Sequence, residues 1–384
     1  MEFFHHIISS VGDLFLRGVG IVFVIVVIIF VHEIGHYLIG RWCGIRVSIF
    51  SLGFGPQIFS YTDKHGTQWR LALILLGGYV KFVGDKDGTS VLSSQSFPQV
   101  HGSFASAHAW KRAATVFAGP LFNILFSIIV LTFFFFSYGR VVIEPIVGSL
   151  VENAPAIQAG LVLGDRFIEM DGQRVESFED LITYVTFHSE DPIEFKLERM
   201  GQVFKTVITP TVTERDDGFG NRIRVGMIGV GAPIDPVNPT RLDQAYEKHI
   251  RYNLLGAVRE ASKRAAFIIT QTVFFVSRLM EGREDRCQLS GPSKTVKIAW
   301  QISDSGFISL LNFAAFLSIG IGLINLFPIP PLDGGHLLFY VIETVAGRQV
   351  PIKIQEIIFH IGFFVVFLFM IFALFNDYFC WFGY

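Results

Sequence analysis

Four long apolar runs constrain the fold of this chain more than any other feature of its sequence. They span residues 19–38, 113–137, 307–327 and 357–375. A helix needs roughly 20 mostly apolar residues to cross the hydrocarbon core of a bilayer, so each run is long enough. Only 17% of the residues are charged and the formal net charge is −2, so nothing indicates a basic surface for nucleic acid. The sequence therefore predicts a polytopic α-helical membrane protein with four transmembrane helices, embedded in the lipid bilayer.

The distribution of Lys and Arg predicts how these helices are oriented. Eight such residues lie between positions 40 and 112, whereas none follows position 376. Because short cytoplasmic loops carry an excess of Lys and Arg, we expect the 40–112 loop in the cytoplasm. Both termini and the 139–306 segment are then expected on the opposite side. The first run lacks a cleavage site, so we expect it to remain as a membrane span.

The first span contains the sequence HEIGH, which holds His32, Glu33 and His36. Positions i and i+4 of an α-helix share a face, so the two imidazoles can point at one metal ion, most often zinc. Glu33 is then placed to accept a proton from a water molecule at the metal. Ionisable groups within a span are costly unless they have partners or a function. The alternative is a hydrogen-bonded His–Glu cluster that packs helices together.

A catalytic zinc site generally has three protein ligands and one open position. The stretch NLFPIPPLDGGH, residues 325–336, offers the third ligand because Asp333 is its only carboxylate. Its prolines break the helix, and Gly334 and Gly335 let backbone segments come close. Irregular backbone at membrane depth is tolerated where it is buried in protein or lines a wet cavity. His336 is a competing ligand that we rank below Asp333, and the other interpretation of the stretch is an ordinary interfacial turn.

Residues 45–83 have the pattern of a β-hairpin between the first two spans. Strand-like alternation lies on both sides of a polar turn at 64–66. Flexible glycines occur in pairs, at Gly53 and Gly55 and at Gly77 and Gly78. We expect a membrane-associated β-hairpin or sheet, and the alternative is a merely structural sheet in the cytoplasm.

A mixed polar composition with glycine-containing turns begins at residue 139 and predicts an inserted α+β domain. Its motifs are APA at 154–156, AGL at 159–161, GD at 164–165 and DG at 171–172. On these residues the 139–212 segment resembles a bacterial PDZ domain. The resemblance implies that a peptide or a substrate ectodomain can bind at an exposed sheet edge. The alternative is a rigid spacer that binds nothing.

The other segments complete the predicted organisation. Residues 213–240 are rich in Gly, Pro and Asp and are predicted to be a linker. The 241–306 segment is predicted to be helical, with an amphipathic stretch at 265–276 on the membrane surface. Residues 1–138 then hold the first two spans and residues 307–384 the last two. The cysteines form no CxxC pair, and the sequence leaves open whether Cys287 pairs with Cys380.

The order of these motifs resembles that of a known family. HEIGH, GPLFN at 119–123, the PDZ-like insert, LSGP at 289–292 and NLFPIPPLDGG follow the order found in site-2 proteases. Across nearly its full length the chain is similar to the bacterial branch that includes RseP, the regulator of sigma-E protease. The resemblance implies a zinc metalloprotease that cuts single-span substrates within their transmembrane helices, such as an anti-sigma factor or a remnant signal peptide. It also implies a bacterial inner membrane location, with the PDZ-like domain periplasmic and the active site toward the cytoplasm.

The resemblance further implies roles for individual residues. Zn²⁺ would be held by His32, His36 and Asp333, and Glu33 would be the general base. The implied substrate-binding positions are Asn325, Asn123, Gly53, Gly55, Gly77, Gly78 and Tyr79. For Asn123 a positional role is the alternative to substrate contact.

The sequence departs from the family in one respect, and it leaves two other function classes open. Well-known members of this branch carry two tandem PDZ domains, whereas this chain has one PDZ-like segment. Whether that segment binds a new C-terminus or blocks bulky ectodomains is therefore open. The other classes are a catalytically inactive membrane scaffold and a metal-ion transporter. The proposed base and ligands argue against the first, and the few polar residues of the second and fourth runs, Asn123 and His360, argue against the second.

Overall fold

The computed structural model describes residues 2–84, 102–216, 222–235, 243–282, 286–289, 291–348 and 350–382. Within these residues, four helices are long and apolar enough to cross a membrane. Their spanning parts are Arg17–Trp42, Ala109–Ser137, Phe307–Asn325 and Lys353–Cys380. Each overlaps one of the predicted runs, so the prediction of four candidate membrane-spanning helices is confirmed.

The structure combines these helices with short strands. The α-helices of the described residues are α1 (Glu2–Trp42), α2 (Ala109–Ser137), α3 (Pro155–Gln158), α4 (Phe178–Phe187), α5 (Leu254–Met280), α6 (Pro292–Ser303), α7 (Phe307–Asn325), α8 (Asp333–Ala346) and α9 (Ile352–Phe382). The strands are β1 (Val47–Thr62), β2 (Gln68–Phe82), β3 (Arg140–Ile143), β4 (Ser149–Leu150), β5 (Arg166–Met170), β6 (Gln173–Arg174), β7 (Ile193–Arg199), β8 (Gln202–Ile208), β9 (Thr211–Asp216), β10 (Arg222–Met227), β11 (Val230–Gly231) and β12 (Glu247–Ile250). Two 3₁₀ turns are described, at Gln244–Tyr246 and Arg286–Gln288.

The chain divides into two compact units. The first unit comprises Met1–Thr132, Ala261–Ile269 and Gly291–Leu374. The second unit comprises Phe133–Glu260, Thr270–Ser290 and Phe375–Tyr384. The HEIGH and NLFPIPPLDGGH sequences and the hairpin of β1 and β2 all belong to the first unit.

Apolar residues of α1 pack against α7 in the first unit. Ile21, Val24 and Ile28 recur at helical spacing on α1 and are buried in one cluster with Leu310 and Ala314 of α7. Residues three and four positions apart share a helix face, so this cluster fixes which side of α1 faces α7. The rotation of the HEIGH sequence, which continues the same helix, is fixed with it.

Small and polar residues bring α2 close to α1 and α7. A Cβ added to Gly35 of α1 would lie 2.5 Å from the carbonyl oxygen of Ala118 in α2, so the two backbones are nearly in contact. On the other side of α2, Ser127 Oγ lies 2.7 Å from the carbonyl oxygen of Ala315 in α7. Such packing through small residues and hydroxyl groups is common between helices in membranes. It holds α1, α2 and α7 together around the site described below.

Strands β1 and β2 form an irregular antiparallel hairpin, in the region where a hairpin was predicted. Asp63 closes the turn by accepting hydrogen bonds from the backbone N–H groups of His65 (2.8 Å) and Thr67 (2.9 Å). Burial alone would raise the pKa of Asp63, but hydrogen bonds from the Trp69 indole, these N–H groups and Tyr37 lower it to about 2. The turn-closing carboxylate is therefore ionised at neutral pH. Association of the hairpin with the membrane stays a prediction.

The second unit is built around a four-stranded sheet with the strand order β6-β5-β7-β8. Phe167, Phe195 and Leu197 of this sheet are buried in one core with Phe178 and Leu181 of α4. Helix α4 begins at Ser177, whose hydroxyl accepts a hydrogen bond from the backbone N–H of Asp180. The result is an α+β unit in the predicted place, while its assignment as a PDZ-like domain stays a prediction.

The linker predicted at 213–240 is wrong for the described part of that segment. Strands β9 and β10 pair with each other antiparallel, and β11 pairs with β4. Ile228, between β10 and β11, is 3% exposed and belongs to the same core as β5 and β7. Gly229, one of the glycines that suggested a linker, has a positive φ and lies between β10 and β11, where a turn needs it, whereas Gly226 and Gly231 lie within those strands. Residues 217–221 and 236–240 of the predicted linker lie outside the described residues.

Two further features differ from or add to the sequence prediction. Helix α5 has 27 residues, so the amphipathic stretch predicted at 265–276 is the middle of a longer helix. Asn253 caps it by accepting a hydrogen bond from the backbone N–H of Gly256 at 2.8 Å. In the second unit, Cys287 and Cys380 form a disulfide, with their Cα atoms 5.6 Å apart and their positions separated by 93 in sequence. Ser290 of the LSGP motif lies outside the described residues.

Candidate metal centre

Three side chains from two helices converge in the first unit. His32 and His36 lie one turn apart on α1, and their Nε2 atoms are 3.2 Å apart. Asp333 is the first residue of α8, and its Oδ2 lies 3.1 Å from His32 Nε2 and 3.5 Å from His36 Nε2. In the part of the chain that the structure describes, this is the one group of three or more His, Cys, Asp or Glu side chains that could hold a metal ion.

The spacing of these atoms fits zinc. Ligands held at about 2.0–2.1 Å in a tetrahedron lie about 3.3–3.4 Å apart, and the three separations of 3.1–3.5 Å bracket that value. Oδ2 of Asp333 is buried and has no properly aligned hydrogen-bond partner among the described residues, although two imidazole nitrogens face it. A buried carboxylate oxygen without a partner is costly, and a metal ion at this point would satisfy it. Two imidazoles and one carboxylate are ligands that zinc accepts in catalytic sites.

The proline-rich stretch explains how Asp333 reaches the histidines. Helix α7 ends at Asn325, and α8 begins at Asp333 after an irregular segment. A Cβ added to Gly334 would collide with the carbonyl oxygens of residues 326 and 327, and one added to Gly335 would lie 2.6 Å from the backbone nitrogen of Pro330. Only glycine fits where backbone segments approach so closely. The expected combination of helix-breaking prolines and close backbone approach is therefore present.

Residues of α2 contact both histidines. Nδ1 of His36 lies 2.9 Å from the carbonyl oxygen of Thr115, which can accept a hydrogen bond from it. A histidine that donates through Nδ1 is left with a lone pair at Nε2, the atom that faces Asp333. Gly119 of α2 lies directly against both imidazoles, since an added Cβ would contact the rings of His32 and His36. Asn123, one further turn along α2, has its Nδ2 atom 3.3 Å from Nδ1 of His32.

A cavity of about 570 Å³ adjoins the three candidate ligands, His32, His36 and Asp333. Glu33 lines it and is 8% exposed, so its carboxylate borders the cavity without facing bulk solvent. The hairpin forms another wall, because a Cβ added to Gly78 would lie 2.9 Å from Cγ of Glu33. The polar and glycine lining residues are His32, Glu33, His36, Gly77, Gly78, Tyr79, Asn325, Asp333, His336 and His360. The acid, the ligands and a strand backbone thus share one space of the size of a small-molecule site.

The residues implied as substrate-binding fall into three places. Gly77, Gly78, Tyr79 and Asn325 line the cavity at the ligands. Gly53 and Gly55 line a second cavity of about 360 Å³, which also includes Tyr79. Asn123 is 0% exposed and lies behind His32.

Several residues around the site were not identified from the sequence. Gly119 belongs to the GPLFN motif, which draws attention to it in the sequence. The motif does not show, however, that this glycine lies against the two imidazoles. Thr115 acts through its backbone carbonyl, which no sequence pattern reveals. His336 was considered as a rival ligand, and the structure places it in the cavity wall, outside the ligand group.

Sequence comparison with known proteins finds a family match and several named relatives. A family model described as Peptidase family M50 matches residues 20–369. "Putative zinc metalloprotease BH06270" of Bartonella henselae is 74% identical over 357 residues, which are 93% of this chain and 100% of that protein. "Putative zinc metalloprotease mll0638" of Mesorhizobium japonicum is 45% identical, over 92% of this chain and 96% of that protein. "Metalloprotease MmpA" of Caulobacter vibrioides is 33% identical, over 94% of each chain.

Proposed function

The chain belongs to peptidase family M50, the site-2 proteases, and from this membership we propose that it is a zinc-dependent endopeptidase that cuts transmembrane helices. The observation that carries the proposal is the convergence of His32, His36 and Asp333 beside Glu33, in a cavity that α1 forms with the hairpin and α7. Helix α1 is one of the four candidate membrane-spanning helices, which supports a site at membrane depth.

The positions of the residues support one role for each. His32, His36 and Asp333 would hold a zinc ion, which would supply Lewis-acid chemistry by polarising a carbonyl group and lowering the pKa of a water molecule to about 7. Glu33 accepts the proton of the attacking water and passes it to the nitrogen of the leaving amine. The surrounding helices keep bulk water from the carboxylate of Glu33, which is 8% exposed. Thr115 holds His36 through its backbone carbonyl.

The substrate must be extended at the site, because the peptide bonds of an intact helix are shielded by their own hydrogen bonds. The segment Gly78–Phe82 of the hairpin pairs with β1 on one side, and Gly78, Tyr79 and Val80 line the metal cavity. An unwound substrate segment adds to this strand at its cavity side. Asn325 lines the same cavity, and its amide can donate to and accept from one peptide unit.

The wider assignment follows from the sequence pattern and the disulfide. The chain lies in a bacterial inner membrane, with its termini and the second unit in the periplasm. Disulfides persist in oxidising compartments such as the periplasm, and Cys287 and Cys380 of the second unit form one. The substrates are single-span proteins, with an anti-sigma factor and remnant signal peptides as the two classes. The PDZ-like fold of the second unit binds or excludes their periplasmic parts.

Replacing the base while keeping the ligands tests the proposal. The protein is reconstituted with a membrane-embedded peptide that has one spanning helix, and both cleavage and zinc content are measured. Glu33→Gln should retain zinc and lose about 10²–10⁴-fold in cleavage rate, because the proton acceptor is gone and the ligands are untouched. Glu356→Gln, which changes an exposed carboxylate outside the cavity, is the matched control and should cleave normally.

Other results would contradict the proposal in distinct ways. Normal cleavage by Glu33→Gln would show that Glu33 is not the base. Zinc binding with no cleavage of any spanning helix by the unaltered protein would favour an inactive scaffold. Zinc movement across the reconstituted membrane would favour a transporter.

A further inference from the structure

Asn123 is a fully buried amide with an incomplete set of partners. It is 0% exposed, and its Nδ2 atom lies 3.3 Å from Nδ1 of His32. Its side-chain oxygen, Oδ1, has no hydrogen-bond partner among the described residues. A buried amide oxygen without a hydrogen-bond partner is destabilising, so its burial needs a physical explanation.

The backbone around Asn123 holds the side chain in place. Its carbonyl oxygen lies 2.9 Å from Ser127 Oγ and 3.0 Å from Ser318 Oγ of α7. At Gly322 of α7, an added Cβ would lie 3.2 Å from Cβ of Asn123. Two hydroxyl groups and a glycine therefore fix this turn of α2 against α7, and the amide remains beside His32.

Each of the two histidines of the site needs a hydrogen-bond acceptor at Nδ1. An imidazole that offers Nε2 to a metal carries its proton on Nδ1, and that N–H requires an acceptor. His36 has the carbonyl oxygen of Thr115 at 2.9 Å. At Nδ1 of His32, the neighbouring hydrogen-bonding group in the described structure is the amide of Asn123. The N and O atoms of an amide have nearly the same shape, so a half-turn of the amide places Oδ1 where Nδ2 now lies.

We propose that Asn123 is a positioning residue for the metal site, whose amide oxygen accepts the Nδ1–H hydrogen bond of His32 when zinc is bound. In this orientation the amide keeps the Nε2 lone pair of His32 directed at Asp333 and His36. The orphaned Oδ1 is then satisfied, and both zinc-binding histidines have an acceptor from α2. The inference rests on the proposed zinc site and adds to it a residue that touches neither the metal nor the substrate.

Zinc affinity measures this role without any cleavage. The dissociation constant is determined for the full-length, detergent-purified protein by competition with a chromophoric zinc chelator. Asn123→Leu keeps a similar volume and removes the acceptor, so we expect zinc binding to weaken about 10–100-fold, as for other residues that orient metal ligands. Asn123→Asp restores an acceptor and should bind zinc at least tenfold more tightly than Asn123→Leu. Thr132→Val removes a hydroxyl of the same helix that has no hydrogen-bond partner among the described residues, so it should leave the affinity within about threefold.

The outcomes separate this inference from the proposed function. Equal zinc affinity of Asn123→Leu and the unaltered protein would overturn the inference alone. So would an equal loss in the Leu and Asp variants, which would indicate packing and not hydrogen bonding. A raised KM in Asn123→Leu with unchanged zinc affinity would make Asn123 a substrate contact and overturn it as well. Failure of the unaltered protein to bind zinc would overturn the proposed function itself. If Asn123→Leu does not fold, Asn123→Ala takes its place. Asn123→Asp should then bind zinc at least tenfold more tightly than Asn123→Ala, and equal affinities would overturn the inference.

Discussion

At the scale of single residues, Gly119 determines how closely α2 approaches the two imidazoles. An added Cβ would contact Nε2 and Cε1 of His36 and would lie 2.8 Å from Cε1 of His32. Nε2 of His36 is a proposed ligand atom, so a methyl group at this position must displace the ring from the metal. The glycine is thus required by the site and not by a turn, because Gly119 lies within a helix.

We expect Gly119→Ala to weaken zinc binding about 10–100-fold. Overpacking of a buried contact costs about 1–3 kcal/mol, and here the displaced group is a ligand. Gly320→Ala is the control, since Gly320 also lies in a spanning helix and an added Cβ meets nothing within 4 Å. Competition with a zinc chelator gives both affinities. Unchanged zinc binding in Gly119→Ala would show that the ligands adapt and that the close approach is incidental.

The convergence of the three proposed ligands could be predicted from the sequence, but the residues that support them could not. Helical periodicity alone puts His32 and His36 on one face, and Asp333 is the only carboxylate of its motif. Thr115 acts through a carbonyl group that every residue has, so only the packing of α2 on α1 selects it. The position of Asn123 behind His32, outside the cavity wall, likewise depends on that packing.

At the scale of elements, the hairpin of β1 and β2 lies directly against the proposed base. A Cβ added to Gly78 would lie 2.9 Å from Cγ of Glu33 and 2.9 Å from the carbonyl oxygen of Ser51. The glycine therefore lets one strand touch both its partner strand and α1. This contact places the strand that we propose for substrate binding beside the proposed catalytic carboxylate.

Gly78→Ala is expected to reduce cleavage on the order of 10²-fold while zinc stays bound. The added methyl group moves the strand or Glu33, and a displacement of about 1 Å at a reacting centre can cost that much. Leu73→Ala, at an exposed position of the same strand, should change the rate little. Cleavage of the spanning peptide and zinc content are measured together. Loss of zinc in Gly78→Ala would show instead that the hairpin supports the ligands.

The elements differ in how far the sequence predicts them. The four spanning helices follow from run length, and the hairpin follows from alternation around a polar turn. For the described part of 213–240 the linker prediction was wrong, because glycine marks both flexible segments and the tight turns between short strands. The burial of Ile228 in the core of the second unit shows that its segment is part of the fold and not a flexible linker. Burial depends on the tertiary fold, so the sequence pattern alone does not reveal it.

At the scale of the whole molecule, the fold joins residues that are far apart in sequence. The proposed zinc ligands come from α1 and α8, near opposite ends of the chain, and the disulfide joins positions 93 residues apart. The pairing of Cys287 with Cys380 could not be predicted, because sequence spacing does not determine which distant segments meet. The meeting of α1 and α8 at the proposed metal site could be predicted, because HEIGH and the motif that contains Asp333 both offer side chains that bind zinc.

The central claim is that one zinc ion joins α1 to α8. The most direct measurement is zinc content together with zinc K-edge X-ray absorption on the purified, cleavage-active protein and on Asp333→Ala. We predict one zinc ion per chain, coordinated by two imidazole nitrogens and by oxygen, and loss of this zinc in Asp333→Ala. An active protein without zinc, or an Asp333→Ala variant with unchanged zinc coordination, would contradict the account.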